Sequence, residues 1–383
     1  MTGWQTTTIE ESCNVEYGTR VVQKRDGGSV YPVYGGGGAT FQMDTANRAD
    51  RVVVSRFGMS EECTRFVDGE FFLNDSGLTL SPKDKAKLLP AFLDLLTLAL
   101  NDKIFALGKG AAQKNLDVPA FRGLRVTYPS SLTDQRHIVA TLDQAFGDIA
   151  TAKANAERNL QNSRELFASQ REVVLSGRGS SWNEALIRDL CDITHGYAFE
   201  GEFFATAGDY VLLTPGNYYE SGGYRDRGER QKYFVGPIPR DYVLSEGSLL
   251  VAMTEQAAGL LGSPLLVPEP DRFLHNQRLG LVVGKLGVAW DNEFFFHVFN
   301  LARVRAEIHA SASGVKVRHT SPSRIGAISV VFPSTVAEQR EVASKLLKVA
   351  AECDQLVSVY ERKITALDEL TKSLLHQAFS GTL

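Results

Sequence analysis

Apolar and small side chains recur at Ile138, Leu142, Ala145, Ile149, Ala152 and Ala156, in alternating steps of four and three. The same rhythm returns at Val342, Leu346, Val349, Cys353, Leu356 and Tyr360. Each run predicts a long helix with one apolar stripe, the seam of a coiled coil. The next members, Leu160 and Ile364, each lie four residues on, so both seams carry the same irregularity. Ahead of the first, Ser130 or Ser131 can cap the helix, and ahead of the second, Ser334 or Thr335 can. Asp134 and Glu338 follow in the first turn, where an acidic side chain favours the helix N-terminus. Ser176-Gly177 and Ser380-Gly381 supply the expected stops.

The two helices belong to an internal duplication. Tyr128-Pro129-Ser130-Ser131-Leu132-Thr133-Asp134-Gln135-Arg136 reappears as Phe332-Pro333-Ser334-Thr335-Val336-Ala337-Glu338-Gln339-Arg340, at an offset of 204. That offset holds without a gap through Leu166 and Leu370, and backwards to Gly110 with Gly314 and Lys114 with Arg318. The starts of the halves match at 178 instead, pairing Trp4, Ile9, Cys13 and Gly18 with Trp182, Ile187, Cys191 and Gly196. The second half therefore holds 26 extra residues between these anchors. A repeat this long is a duplicated domain with a tail, not a solenoid.

The parts before the tails read as mixed α/β (α+β). β-prone runs at Val52-Val53-Val54, Tyr210-Val211-Leu212-Leu213 and Ser248-Leu249-Leu250-Val251 are punctuated by glycines, and an apolar helix is expected over residues 88–107. The expected organisation is a globular domain over 1–127, a helix over 128–181, a second domain over 182–331 and a second helix over 332–383. If the helices pack antiparallel as a coiled coil, they form a spacer between the domains with approximate two-fold symmetry.

Composition narrows the chemistry. The longest apolar candidate, residues 88–107, contains Pro90, Asp94, Asp102 and Lys103, and no signal pattern opens the chain, so a cytoplasmic protein with no membrane association is expected. Cys13, Cys63, Cys191 and Cys353 are scattered, which supports neither a zinc site nor a disulfide framework. The formal net charge of −4 argues against a chain that is basic throughout. Local positive spots remain: residues 221–240 carry five basic and two acidic side chains, and 303–324 carry five and one.

Enzyme signatures are missing. Gly35-Gly36-Gly37-Gly38 lacks the Lys-Ser/Thr of a phosphate-binding loop and reads as a flexible loop; Gly108-Lys109-Gly110 lacks the earlier glycine and the hydroxyl residue. There is no HExxH, GxSxG or HxE with PCxxC, and no Asn-Pro-Pro-Tyr-like tetrapeptide. His195, His275 and His297 are expected to be structural.

Taken in order, these residues resemble a known family. A variable domain, Pro-Ser-x-x-x-[Asp/Glu]-Gln-Arg and a long helix, all repeated once, is similar to the specificity subunit of type I restriction–modification enzymes. Phrases of the kind found in its target-recognition domains are Tyr31-Pro32-Val33-Tyr34-Gly35-Gly36-Gly37, Val54-Ser55-Arg56-Phe57-Gly58, Phe72-Leu73-Asn74-Asp75, Gly247-Ser248-Leu249-Leu250-Val251-Ala252-Met253 and His275-Asn276-Gln277-Arg278-Leu279-Gly280. The resemblance implies a non-catalytic protein. Each domain would read one half of an interrupted double-stranded DNA sequence, and the helices would set the gap and bind two adenine-N6 methyltransferase subunits. Restriction/motor subunits complete the enzyme. S-adenosylmethionine, ATP and magnesium would belong to those partners, with no cofactor bound by this chain.

Candidate DNA contacts follow from charge and loop chemistry. Arg225, Arg227, Arg230 and Lys232 lie in a Gly- and Tyr-rich segment, where arginine suits guanine edges and lysine suits phosphate. The alternative there is a solvated loop. Lys316, Arg318 and His319 after Gly314, and Lys109 and Lys114 flanking Gly110, occupy corresponding places and suggest phosphate anchoring. Arg20, Lys24, Arg25 and Arg56 complete the set. Two other functions compete: a coiled-coil scaffold without DNA readout, which leaves the large globular domains idle, and a self-contained modifying enzyme, which the missing motifs disfavour.

Overall fold

The computed structural model describes residues 3–177, 181–256 and 258–380. It divides into two compact units, one built from residues 1–159 and 360–383, the other from 160–359. Each unit thus contains a globular part, the start of the helix that follows it, and the end of the other helix. Among the described residues no helix is long and apolar enough to cross a membrane.

The first unit holds a six-stranded sheet in the order Cys13–Tyr17, Gly77–Pro82, Arg48–Ser55, Thr64–Leu73, Tyr31–Tyr34, Gln42–Met43. Its pairings are antiparallel except one: Tyr31–Tyr34 runs parallel to Thr64–Leu73, with Val33 opposite Phe72. Val54, Leu78 and Leu80 turn toward Phe92, Leu93 and Leu96, closing the main core. Burying each such side chain contributes roughly 1.5–3 kcal/mol. The single helix expected over 88–107 is two, Pro90–Ala99 and Asn101–Ala106. The break falls where the Asn101 side chain binds a neighbouring loop. Its carbonyl accepts from Cys63 N, Thr64 N and Thr64 Oγ1 at 3.0–3.1 Å, and its amide donates to Glu61 O.

The second unit spreads the same plan over a four-stranded sheet and a five-stranded sheet. It too has a parallel strand pair, Tyr210–Leu212 with Phe273–Leu274, which places Val211 opposite Phe273. Val33 and Val211 are 178 residues apart and Phe72 and Phe273 are 201 apart, so most of the extra residues enter between these two strands. Its apolar segment likewise forms two helices, Asn292–Phe299 and Ala302–Ala310, but the break at Asn300-Leu301 comes about one turn before the place that the 204 offset assigns to it. Arg305 stands where the first unit has Asn101 and does similar work, donating to Leu261 O, Glu220 O and Gly259 O.

Both units tie their globular part to the following helix alike. Trp4–Thr8 pairs with Arg125–Pro129, and Trp182–Leu186 with Ser329–Pro333, in identical register: Trp4 opposite Pro129, Trp182 opposite Pro333. Helices Leu132–Ser176 and Val336–Ser380 follow, each 45 residues and roughly 68 Å at 1.5 Å per residue. Of the possible caps, Ser131 and Thr335 accept from Asp134 N and Glu338 N. Gly381, one of the expected stops, lies outside the described residues.

Within the first unit the two helices run antiparallel: Leu142 clusters with Ala378, and Lys153 pairs with Asp368 at 2.6 Å. In the second, Leu175 joins Ala343 and Leu346. The first seam is covered at every expected position from Ile138 to Leu160. The second is not. Leu356, expected to pack, is 40% exposed, and Val357 takes the inward place between Cys353 and Tyr360. Steps of three-then-four and four-then-three both connect those neighbours, and tertiary packing selects the second.

Candidate nucleic-acid interface

The segment that carries most of the candidate arginines is internally braced. After strand Tyr210–Leu212 the chain turns at Thr214-Pro215-Gly216, and the buried Asn217 side chain closes the turn by accepting from Thr214 N and Oγ1, both at 3.0 Å. Asn217 Nδ2 donates to the buried Gln231 Oε1 at 2.9 Å and to Arg225 O at 3.3 Å. Residues 217 and 231 thereby pin the ends of the loop that presents Arg225, Arg227 and Arg230. The loop is braced from within, while Arg225 and Arg230 on it stand exposed to solvent. The signal in the sequence was the two amides, which charge counting passes over.

Two concavities open on this loop. One, about 540 Å³, is lined by Arg227, Lys232, Arg278 and His319 among others. The second, about 570 Å³, is lined by Gly216, Arg225, Asp226, Arg227, Glu229 and Arg230. Arg225 lies 6.0 Å from the Tyr219 ring and Lys232 5.4 Å from that of Phe204, so aromatic faces support both cations. Arg278 was not singled out from the sequence. It lies in a different segment from Arg227, and strand pairing brings the two to one hollow: Arg278 N donates to Asn276 Oδ1, and Arg278 O accepts from Met253 N.

The glycine turns near the repeat tails are the same structure twice. Gly110 (φ 119°) and Gly314 (φ 98°) occupy the left-handed region, and a Cβ there would meet Gln113 O at 2.2 Å or Val317 O at 2.1 Å. Only glycine fits. The cations around them diverge. Lys109 pairs with the Asp117 carboxylate, and Lys114 sits 3.9 Å over the Phe105 ring. Arg318 faces inward, 3.3 Å from the buried Glu255 carboxylate, and donates to His309 O. Glu255 in turn accepts from Gly259 N and Leu261 N, so Arg318 holds a loop. Lys316 and His319 remain exposed, and His319 faces the first hollow.

In the first unit Arg20, Lys24 and Arg25 are exposed, and Arg25 bonds to Asp26 at 2.8 Å. Arg56 is half-buried, stacked 5.0 Å from the Tyr17 ring and 4.6 Å from that of Phe57. The glycine run is not the flexible loop expected. A Cβ at Gly35 would meet Ser76 Oγ at 2.1 Å, and at Gly36 Phe57 O at 2.5 Å, so these glycines permit close packing; Gly37 faces open space. Two of the three histidines expected to be structural are buried: burial holds both His275 and His297 at a pKa of about 4, and His275 Nε2 lies 3.1 Å from Leu279 O; His195 is exposed. No cluster of His, Cys, Asp and Glu suited to a metal occurs among the described residues.

Against this geometry stand the likenesses to known proteins. Residues 1–158 match the type I restriction modification DNA specificity domain. The type I restriction enzyme EcoBI specificity subunit of Escherichia coli is 28% identical over 226 residues, which are 58% of this chain and 43% of that protein. The chain thus spans less than half the length of this curated relative. Two solved structures share the fold over its full length. One is from work on complex assembly and conformational transition of the type I R-M system (TM-score 0.73, 13% identity, 99% of that chain covered), the other the HsdS subunit from Thermoanaerobacter tengcongensis (TM-score 0.60, 13% identity, 98% covered).

Proposed function

We propose that this chain, a type I restriction–modification specificity subunit by its domain over residues 1–158 and by its fold, reads a bipartite, asymmetric double-stranded DNA target and performs no catalysis itself. One observation carries the reading. The two units share a frame, with matching entry strands, glycine turns and parallel strand pair, but present different loops, and the braced arginine loop lies where the second unit is longer. A shared frame with unlike surfaces suits two readers of unlike half-sites. Linking them raises affinity by effective concentration while requiring one separation between the halves.

The long helices would set that separation and bind two adenine-N6 methyltransferase subunits. Leu166 and Leu370, equivalent under the repeat, are 38% and 44% exposed, which supports two equivalent docking positions. S-adenosylmethionine would be held by those subunits, and ATP and magnesium by restriction subunits, in the cytoplasm. The domain division at 127/128, 181/182 and 331/332 frames the test. Exchanging residues 1–127 for the first domain of another specificity subunit, followed by sequencing of methylated host DNA, is expected to change one half-site alone. Changes in both halves overturn the reading.

A further inference from the structure

The two hollows of the second unit share Gly216 and Arg227 but differ in kind. The first gathers Arg227, Lys232, Arg278 and His319 with the neutral Thr254 and Gln256, and among the described residues no carboxylate lines it. The second sets Arg225 and Arg230 beside Asp226 and Glu229. A phosphodiester offers only acceptors and a full negative charge, so the first hollow attracts it and the carboxylates of the second repel it. Base edges are mixed: guanine presents acceptors that suit arginine, whereas the amino group of cytosine needs an acceptor such as aspartate or glutamate. The second hollow offers both.

Local geometry keeps the two apart. A Cβ at Gly216 would meet the Arg227 guanidinium at 3.0 Å, so glycine there lets Arg227 lie across the Thr214-Pro215-Gly216 turn, at the boundary between hollows. Asp226 Oδ1 accepts from Gly228 N at 2.9 Å, which fixes that carboxylate within the braced loop. Arg278 has its own backbone anchored on both sides, by Asn276 and Met253.

Resting on the DNA-reading function above, we infer that the second unit divides its contacts between these hollows. Arg278, with Lys232, grips a backbone phosphate; Arg225, Arg230, Asp226 and Glu229 read base edges next to it. Arg278 is then a positioning residue, and the two acidic side chains determine specificity.

The test uses the full chain assembled with its methyltransferase. The wild-type complex supplies two references: the methylated motif from sequencing of host DNA, and the slope of log affinity against log salt on a duplex carrying that motif. Arg278→Ala is expected to make the slope shallower by about 0.9 with the motif unchanged, and Arg278→Lys to restore it. Asp226→Asn and Glu229→Gln are expected to keep the slope and alter the bases accepted in one half-site. A relaxed motif or an unaltered slope with Arg278→Ala overturns the division, as does an unchanged motif with both acidic variants. A wild-type complex that neither binds nor methylates duplex DNA overturns instead the function on which the division rests.

Discussion

Gln135 and Gln339 make the same bond in the two repeats: each buried side-chain amide donates to the carbonyl of the proline six residues before it, Pro129 at 2.8 Å and Pro333 at 3.0 Å. Each also reaches back into its globular part, to Lys87 O and Ala289 O. The glutamine of the repeated Gln-Arg phrase is therefore the latch between domain and helix.

The latches are unequal, and their removal should show it. Gln135 Oε1 accepts from Leu89 N at 2.8 Å, whereas Gln339 Oε1 is buried without a partner among the described residues. Gln135→Ala leaves the half-buried Leu89 N–H and two carbonyls without this partner and is expected to destabilise its unit by about 1–3 kcal/mol, and Gln339→Ala by less. Denaturant unfolding of the full chain measures both; equal losses would contradict the inequality.

Acid should weaken the second unit first. Burial holds His275 and His297 at about 4, below the 6.5 of a free imidazole, and Arg171 adds repulsion at His297. Above pH 6.5 both rings are neutral, folded or unfolded. As pH falls from 6.5 toward 4 only the unfolded chain takes up protons, so stability is lost across that window, on the order of 3 kcal/mol for each ring. In the first unit the place of His297 is taken by the buried Leu93. His297→Leu should flatten the decline by about half. Melting curves between pH 7 and 4 decide it, and an unchanged decline counts against His297.

Partner stoichiometry should follow the equivalent leucines. With the proposed docking, Leu370→Glu leaves a complex carrying one methyltransferase subunit, and Leu166→Glu with Leu370→Glu leaves none. Native mass spectrometry reads the count; two bound subunits with the double variant would move docking elsewhere.

The helices as a ruler can be tested by length. Inserting four residues after the exposed Ala154 lengthens the first helix by about 6 Å, close to two base-pair steps. A four-residue stutter is the mildest insertion for a heptad seam. Both half-site sequences should persist while the unread gap grows by one or two base pairs, as methylation sequencing would reveal. Full activity at an unchanged gap refutes the ruler.

Much of this architecture was legible because repetition and periodicity are written along the chain. The 204 offset already paired Gly110 with Gly314, and both adopt the same left-handed turn. Leu356 failed because two apolar neighbours satisfied one rhythm, and only packing chooses between them. The candidate site was legible in part. Arg225, Arg227 and Arg230 lie close in sequence, but Arg278 reaches Arg227 only through strand pairing, and Arg318 is turned inward by Glu255, 63 residues away. Charge along a sequence says where cations are, not what they face.

The composition of each unit also fixes an order of assembly. Phe92 packs edge-on to Phe379, and Leu95 and Leu142 enclose Ala378, so the first unit lacks part of its core until residue 379 has left the ribosome. The second unit closes at residue 359. Domains commonly finish in the order in which they are synthesised. Here the part translated first is the last to be completed, and until then the side of helix Pro90–Ala99 that receives Ala378 and Phe379 stays uncovered.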